Sequence, residues 1–238
     1  MNILSIGNSF SQDATRYLHQ IARADGVNLT TVNLYIGGCP LSRHYRNMLS
    51  EEKVYGLECN GNITGFSVSL KEALLNRNWD IITIQQVSHE SPYYETYQPY
   101  LNEVAEYVRI CCPKAKLVVH ETWAYEENSK RLNDELGYNK RKEMYNDLHK
   151  CYKKAAEDIE ADFVIPCGTL FEKLFDKGIE KLHRDTFHAT LGTGRYALAL
   201  LWYRMITENS VLNNSFNDFD EEVTEAELKL VKETVEEF

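Results

Sequence analysis

What the chain has little of narrows it quickly. No apolar segment approaches the roughly 20 residues needed to cross a bilayer as a helix, and Met1-Asn2 leads directly into the first apolar run with no charged leader before it. The expected location is the cytoplasm, or the periplasm or exterior if a leader has been removed. Basic clusters are also missing: 26 Lys and Arg stand against 36 Asp and Glu, a formal net charge of -10. That balance leaves no electrostatic footprint for nucleic acid or an anionic membrane, and it suits a neutral or cationic small molecule better. The six cysteines form neither the CxxC pairs of a zinc site nor the density of a disulfide scaffold. No metal or other cofactor is expected. Most of the thiols read as small buried hydrophobes, and a Cys39–Cys59 bridge is the one conceivable pairing. No repeat or low-complexity tract is visible, which excludes solenoids and disordered arrays. No glycine-rich phosphate loop of the G-x-G-x-x-G or G-x-x-x-x-G-K type follows any apolar run, which argues against a nucleotide-binding domain.

What is present is an alternation of short apolar runs with longer helical patterns, the signal for a parallel sheet with crossover helices. Strands are predicted at 2–6, 29–35, 79–84, 115–120 and 161–166, the third rich in β-branched residues. Helices are predicted at 12–25 (stopped by Gly26), 70–78, 98–111, much of 126–160, 168–177 and 190–208. The stretch 54–70 reads as a hairpin appended to the core. In the acidic tail Leu228, Val231 and Val235 recur at helical spacing, and Thr224 with Glu227 resembles a capping box, so a docked helix is expected at about 222–238. The whole, residues 1–238, is read as one α/β domain: a three-layer α/β/α sandwich with a central, mainly parallel, five-stranded sheet. The length permits such a core.

In open parallel sheets ligands bind beyond the carboxyl ends of the strands. The residues there are Gly7-Asn8-Ser9, Gly37-Gly38, Gln85-Gln86, His120-Glu121 and the loop before the 190–208 helix. Ser9 stands where a strand gives way to a helix, a position that suits an acyl-transfer nucleophile because helix-start N–H groups face any developing anion. Gly-Asn-Ser alone also reads as a turn that caps a helix. Of the seven histidines, His188 is distinguished by Asp185 three residues ahead. A carboxylate so placed can hold Nδ1 and leave Nε2 free to take a serine proton.

These blocks, Gly7-Asn8-Ser9 after the first strand, glycine after the second, an amide side chain after the next core strand and Asp185-x-x-His188 before the last core helix, resemble the ordered blocks of the SGNH/GDSL hydrolase superfamily. The combination Gly-Asn-Ser-Phe-Ser, Ile-Gln-Gln and Trp-Ala-Tyr further resembles an uncharacterised branch abundant in gut bacteria. The resemblance implies a flavodoxin-like fold and a metal-free serine esterase or acetylesterase. It implies Ser9 as nucleophile, His188 as general base and then acid, and Asp185 as the residue that orients His188. Ser9 and Gly38 would supply oxyanion N–H groups.

The chain departs from the pattern where the family places an asparagine: it reads Ile84-Gln85-Gln86-Val87-Ser88-His89. A glutamine amide is an adequate donor with a longer reach. Gln86 is the expected oxyanion donor, with Gln85 and then His89 as alternates. Asn8 also stands where Asp is common. Tyr93, Tyr94, Tyr97, Trp123 and Tyr125 offer aromatic faces with polar edges, which suit sugar rings or the packing of an irregular loop. Gln85, His89, Trp123 and Tyr125 are therefore expected to bind substrate, a small acyl ester, on a carbohydrate in the favoured reading. The alternative is a noncatalytic domain that binds a carbohydrate or an anion at the same helix start. The oligomeric state is left open.

Overall fold

Aliphatic and β-branched runs supply seven strands in the computed structural model, which describes all 238 residues. They are β1 (Asn2–Gly7), β2 (Thr30–Tyr35), β3 (Tyr55–Cys59), β4 (Asn62–Val68), β5 (Ile81–Ile84), β6 (Lys116–Glu121) and β7 (Phe163–Pro166). The sheet order is β4-β3-β2-β1-β5-β6-β7. The five expected core strands pair with one another in parallel. The expectation of five strands is corrected to seven, because the appended hairpin continues the same sheet: β3 pairs antiparallel with β2, and β4 with β3. Parallel strands buried on both faces read as continuous apolar runs, whereas β4 is exposed along most of its length and therefore has only weak alternation.

Nine helices cover the faces: α1 (Ser9–Thr15), α2 (Leu18–Ala24), α3 (Leu41–Ser50), α4 (Leu70–Leu75), α5 (Tyr100–Cys111), α6 (Arg141–Asp158), α7 (Cys167–Asp176), α8 (Thr193–Thr207) and α9 (Glu225–Glu236). One layer groups α1, α2, α7 and α9 around α8, whose residues Tyr196–Tyr203 are all buried. The other groups α3, α4 and α5, with α6 joined through the edge-on Tyr97–Tyr152 contact. Thr224 caps α9 as expected: its Oγ1 accepts from Glu227 N at 3.2 Å while the Glu227 carboxylate accepts from Thr224 N at 2.9 Å. Val231 and Val235 anchor that helix in the core.

Three local expectations change. The helix expected at 12–25 starts at Ser9 and breaks at Arg16-Tyr17 into α1 and α2. Polar α3, which follows Pro40, is an addition to the expected helices; its buried face is Leu41, His44, Asn47 and Met48. Within 126–160 the long helix begins only at Arg141, preceded by a π-helical turn at Arg131–Glu135. All six cysteines are free, so Cys39 and Cys59 are not bridged. No helix is long and apolar enough to cross a membrane.

This topology fixes where chemistry can sit. The parallel strands run β2-β1-β5-β6-β7, and their order reverses direction between β1 and β5. At such a switch point the crossovers diverge and leave a crevice beyond the strand ends. Gly7-Asn8-Ser9 and Gln85-Gln86 are the residues at its two lips.

Candidate active site

The turn that carries Ser9 is built by local chemistry. Asn8, in extended conformation, caps α1, its Oδ1 accepting from Phe10 N at 3.0 Å. Ser11 folds back beneath the strand end: Asn8 N donates to its Oγ at 3.1 Å, and that hydroxyl lies 2.7 Å from Asn33 Oδ1. Gly7 is required by this close approach, since a Cβ there would lie 2.1 Å from Ser11 Oγ. Ser9 thus occupies the first helical position, where the N–H has no intrahelical acceptor.

The opposite wall comes from the irregular segment between α7 and α8. His188 Nε2 lies 2.8 Å from Ser9 Oγ, and His188 Nδ1 lies 2.8 Å from Asp185 Oδ2. The other Asp185 oxygen accepts the His188 backbone N–H at 2.9 Å. With Asp185 ionised, Nδ1 carries the proton and Nε2 is free to accept from the serine. Partial burial would raise the Asp185 pKa, but the hydrogen bonds from the His188 ring and N–H outweigh it and hold the carboxyl below its ordinary value. The structure therefore brings Ser9, His188 and Asp185 together in the order the sequence suggested.

Asp13, unanticipated, ties the two walls. Fully buried on α1, its carboxylate accepts from Arg184 at 2.9 and 3.0 Å, from Arg195 at 2.8 Å and from Ala189 N at 3.1 Å. Arg184 and Ala189 bracket the segment that carries Asp185 and His188, so the helix that presents the serine also grips the segment that presents the histidine. The only signal in the sequence was the i, i+4 distance from Ser9, which does not reveal a partner some 170 residues away.

A pocket of about 360 Å³ opens over Ser9 and is lined by Gly38, Tyr35, Ser88, His89, Tyr125, Arg131, Arg184 and Phe187 among others. Gly38, with φ +59°, holds the left-handed conformation that favours glycine, and its N–H has no acceptor within the protein. Tyr125 lines the pocket with its hydroxyl 2.9 Å from Ser88 Oγ, and His89 lies half-exposed at the rim.

Three expected site residues lie elsewhere. Gln86 is fully buried and its amide is occupied: Oε1 accepts from Leu41 N and Val87 N at 2.9 and 2.8 Å, and Nε2 donates to the Thr96 carbonyl and hydroxyl at 3.1 Å each. It braces the β5 exit against α3 and cannot also hold an oxyanion. Gln85 is corrected both as an oxyanion alternate and as a substrate contact. Its Nε2 donates to Asn8 Oδ1 at 2.9 Å and its Oε1 accepts from His120 Nδ1 at 2.6 Å. It buttresses the Asn8 cap behind Ser9. His120 is itself buried, which lowers its pKa to about 3 and keeps it neutral. Trp123 is corrected as a sugar platform: it is wholly buried, stacks on Phe10 at 4.2 Å and donates Nε1–H to the Phe187 carbonyl at 2.8 Å. Tyr93, Tyr94 and Tyr97 also direct their hydroxyls to protein acceptors, as loop packing requires.

The family model described as "Domain of unknown function (DUF4886)" matches residues 2–237. Among solved structures, a DUF4886 family protein from Bacteroides uniformis is 30% identical, covers 100% of this chain and 93% of its own length, and superimposes with a TM-score of 0.90. A candidate SGNH hydrolase from Slackia heliotrinireducens is 20% identical, with 87% of this chain and 98% of that one covered and a TM-score of 0.64. A candidate GDSL-like lipase from Parabacteroides merdae is 14% identical over 87% and 96% of the two chains, with a TM-score of 0.60. The chain thus has the SGNH/GDSL hydrolase fold. No curated protein matches the sequence.

Proposed function

The chain belongs to the DUF4886 family, and on that premise we propose that it is a serine ester hydrolase that removes small acyl groups such as acetyl from a hydroxylated, carbohydrate-like alcohol. The observation that carries the reading is the unbroken hydrogen-bonded series Ser9 Oγ, His188 Nε2, His188 Nδ1, Asp185 Oδ2, with both links at 2.8 Å, opening onto the pocket.

Ser9 Oγ attacks the ester carbonyl while His188 Nε2 takes its proton, and Asp185 stabilises the imidazolium without accepting the proton. The tetrahedral oxyanion is met by the N–H groups of Ser9 and Gly38, preorganised donors whose orientation costs nothing at the moment of reaction. His188 returns the proton to the leaving alcohol. Water, activated by the same nitrogen, then attacks the acyl-enzyme and frees Ser9. Small acyl groups suit the pocket, where the polar rim of Ser88, His89, Arg131 and Arg184 offers no extended apolar channel for a long chain.

A fluorophosphonate probe should label the native protein at Ser9, and Ser9→Ala should remove both the label and the hydrolysis of 4-nitrophenyl acetate. A panel of acetylated sugars then locates the substrate. An unlabelled native protein points instead to the noncatalytic ligand-binding domain.

A further inference from the structure

The pocket wall formed by Phe187 also carries a cation that enters no ion pair. Arg131, on the π-helical turn Arg131–Glu135, places its Cζ 4.1 Å over the ring of Phe187. The turn is fixed from beneath by buried Leu132, whose N–H donates to Ser129 Oγ at 3.2 Å. Of the two arginines that line the pocket, Arg184 is held by the Asp13 carboxylate. Arg131 enters no ion pair: no carboxylate oxygen comes within 4.0 Å of it. The polar group it approaches is the Tyr125 hydroxyl, which is also in the pocket. No Asp or Glu side chain lines the cavity. In a protein of formal charge -10 this local surplus is opposite in sign to the whole.

Position gives the surplus a meaning. Phe187 is the shared wall: its ring lies 3.8 Å from that of His188, and the Arg131 guanidinium caps the same ring. His188 must deliver a proton to the leaving oxygen, so the alcohol half of the ester lies on its side of the pocket. Arg131 stands on that side, over the ring that packs against His188. A planar guanidinium kept from folding onto the surface by an aromatic face presents its remaining edge for a two-pronged contact with a planar anion. We propose that Arg131 selects esters whose alcohol half carries a carboxylate, an inference that rests on the hydrolase reading above.

The test compares 4-acetoxybenzoate with 4-acetoxybenzamide, which share the acyl group and differ in the charge of the alcohol half. Their kcat/KM ratio is divided by the ratio of their hydroxide-catalysed rates. In the native enzyme it should favour the carboxylate by about tenfold or more, the effect of one charge-assisted contact. The preference should shrink as ionic strength rises. Arg131→Leu should bring the ratio to within about twofold of unity, and Arg131→Lys should retain part of it, since charge persists without the fork. A native ratio near unity overturns the proposal, as does a preference that survives Arg131→Leu. A second arm separates this inference from the hydrolase reading. Calorimetric binding of 4-hydroxybenzoate to Ser9→Ala should be lost in Ser9→Ala/Arg131→Leu. If Ser9 is never labelled by fluorophosphonate but that binding difference appears, the hydrolase reading fails and the carboxylate site stands. If Ser9 is labelled and Arg131 affects neither ratio nor binding, only this inference fails.

Discussion

The serine and the histidine of the site are held in place by two different kinds of structure. Ser9 sits on regular structure: a strand delivers it, a glycine allows the close turn, and Asn8 and Ser11 complete reciprocal caps within four residues. His188 sits on a segment between α7 and α8 that has almost no regular hydrogen bonding, where Thr186 has φ +78° and the one bridge is His183 with Ala189. That loop is fixed by long-range ties: Asp13 to Arg184 and Ala189, and Trp123 to the Phe187 carbonyl. Local order positions Ser9, and distant side chains position His188. The two halves should therefore fail differently when perturbed.

The sharpest separation comes from Asp185. Replacement by Asn preserves shape but lets the amide donate to Nδ1, which favours the tautomer whose Nε2 bears the proton and cannot act as base. The expected loss in kcat is about 10⁴-fold, as for the corresponding change in a serine protease. Fluorophosphonate labelling should slow in parallel, with the melting temperature nearly unchanged because Asp185 is exposed. A rate within a few-fold of native would mean that the histidine is oriented by the loop ties and not by its carboxylate.

Asp13→Asn attacks those ties directly. It leaves Arg184 facing a neutral amide and Arg195 with only Asp220, which it contacts at 2.9 Å. Removal of one partner of a buried pair costs about 3 kcal/mol or more, read as a drop in the urea midpoint at constant slope. Activity per folded molecule should fall as well, because the histidine segment loosens while the Asn8 cap is untouched. A stability loss with native activity per folded molecule would break the contrast between the two walls.

The same contrast decides what could be read from the sequence. The five core strands, the crevice, the α9 cap and the Ser9, Asp185, His188 set rest on short-range patterns: apolar runs, a Thr-x-x-Glu box, an Asp three residues before a His. The strand total required knowing that a mostly exposed hairpin pairs with β2, and exposure erases the alternation that would reveal it. Trp123, Gln85 and Gln86 depart from expectation for one reason. A side chain near a strand exit can face the crevice or buttress it, and the choice is made by partners distant in sequence: Phe187 for Trp123, His120 and Asn8 for Gln85, Thr96 and Leu41 for Gln86. Asp13 was invisible on the same grounds. The net charge of -10 does not describe the pocket, whose lining includes Arg131 and Arg184 and no Asp or Glu.

Trp123→Phe is the milder probe of the histidine wall. It removes the indole N–H from the Phe187 carbonyl and leaves a small void beside Phe10 and Phe171, at a cost of about 1–2 kcal/mol. If Trp123 were a substrate platform, KM would rise with stability unchanged. The buried geometry predicts the reverse: a lower urea midpoint and a KM close to native.

The buried network behind Ser9 should appear as a pH effect. His120 donates Nδ1–H to Gln85, while its Nε2 has no partner and the ring meets Trp202 edge-on at 5.0 Å. Burial lowers its pKa from 6.5 to about 3. Between those values the unfolded chain binds a proton at this residue and the folded chain does not, so stability rises with pH and is lost as pH falls through the window. The slope from this one group approaches about 1.4 kcal/mol per pH unit. His44, lowered to about 3, and His183, lowered to about 4, are also buried and add contributions of the same sign. His120→Gln should therefore flatten the dependence of unfolding free energy on pH between 4 and 6 by close to one proton, leaving the His44 and His183 contributions in place. An unchanged slope would mean that His120 takes up its proton in the folded state, which requires a partner for Nε2 and a looser brace behind Asn8. The Ser9 turn would then be less rigid than its caps imply, and the difference between the two walls of the site would narrow.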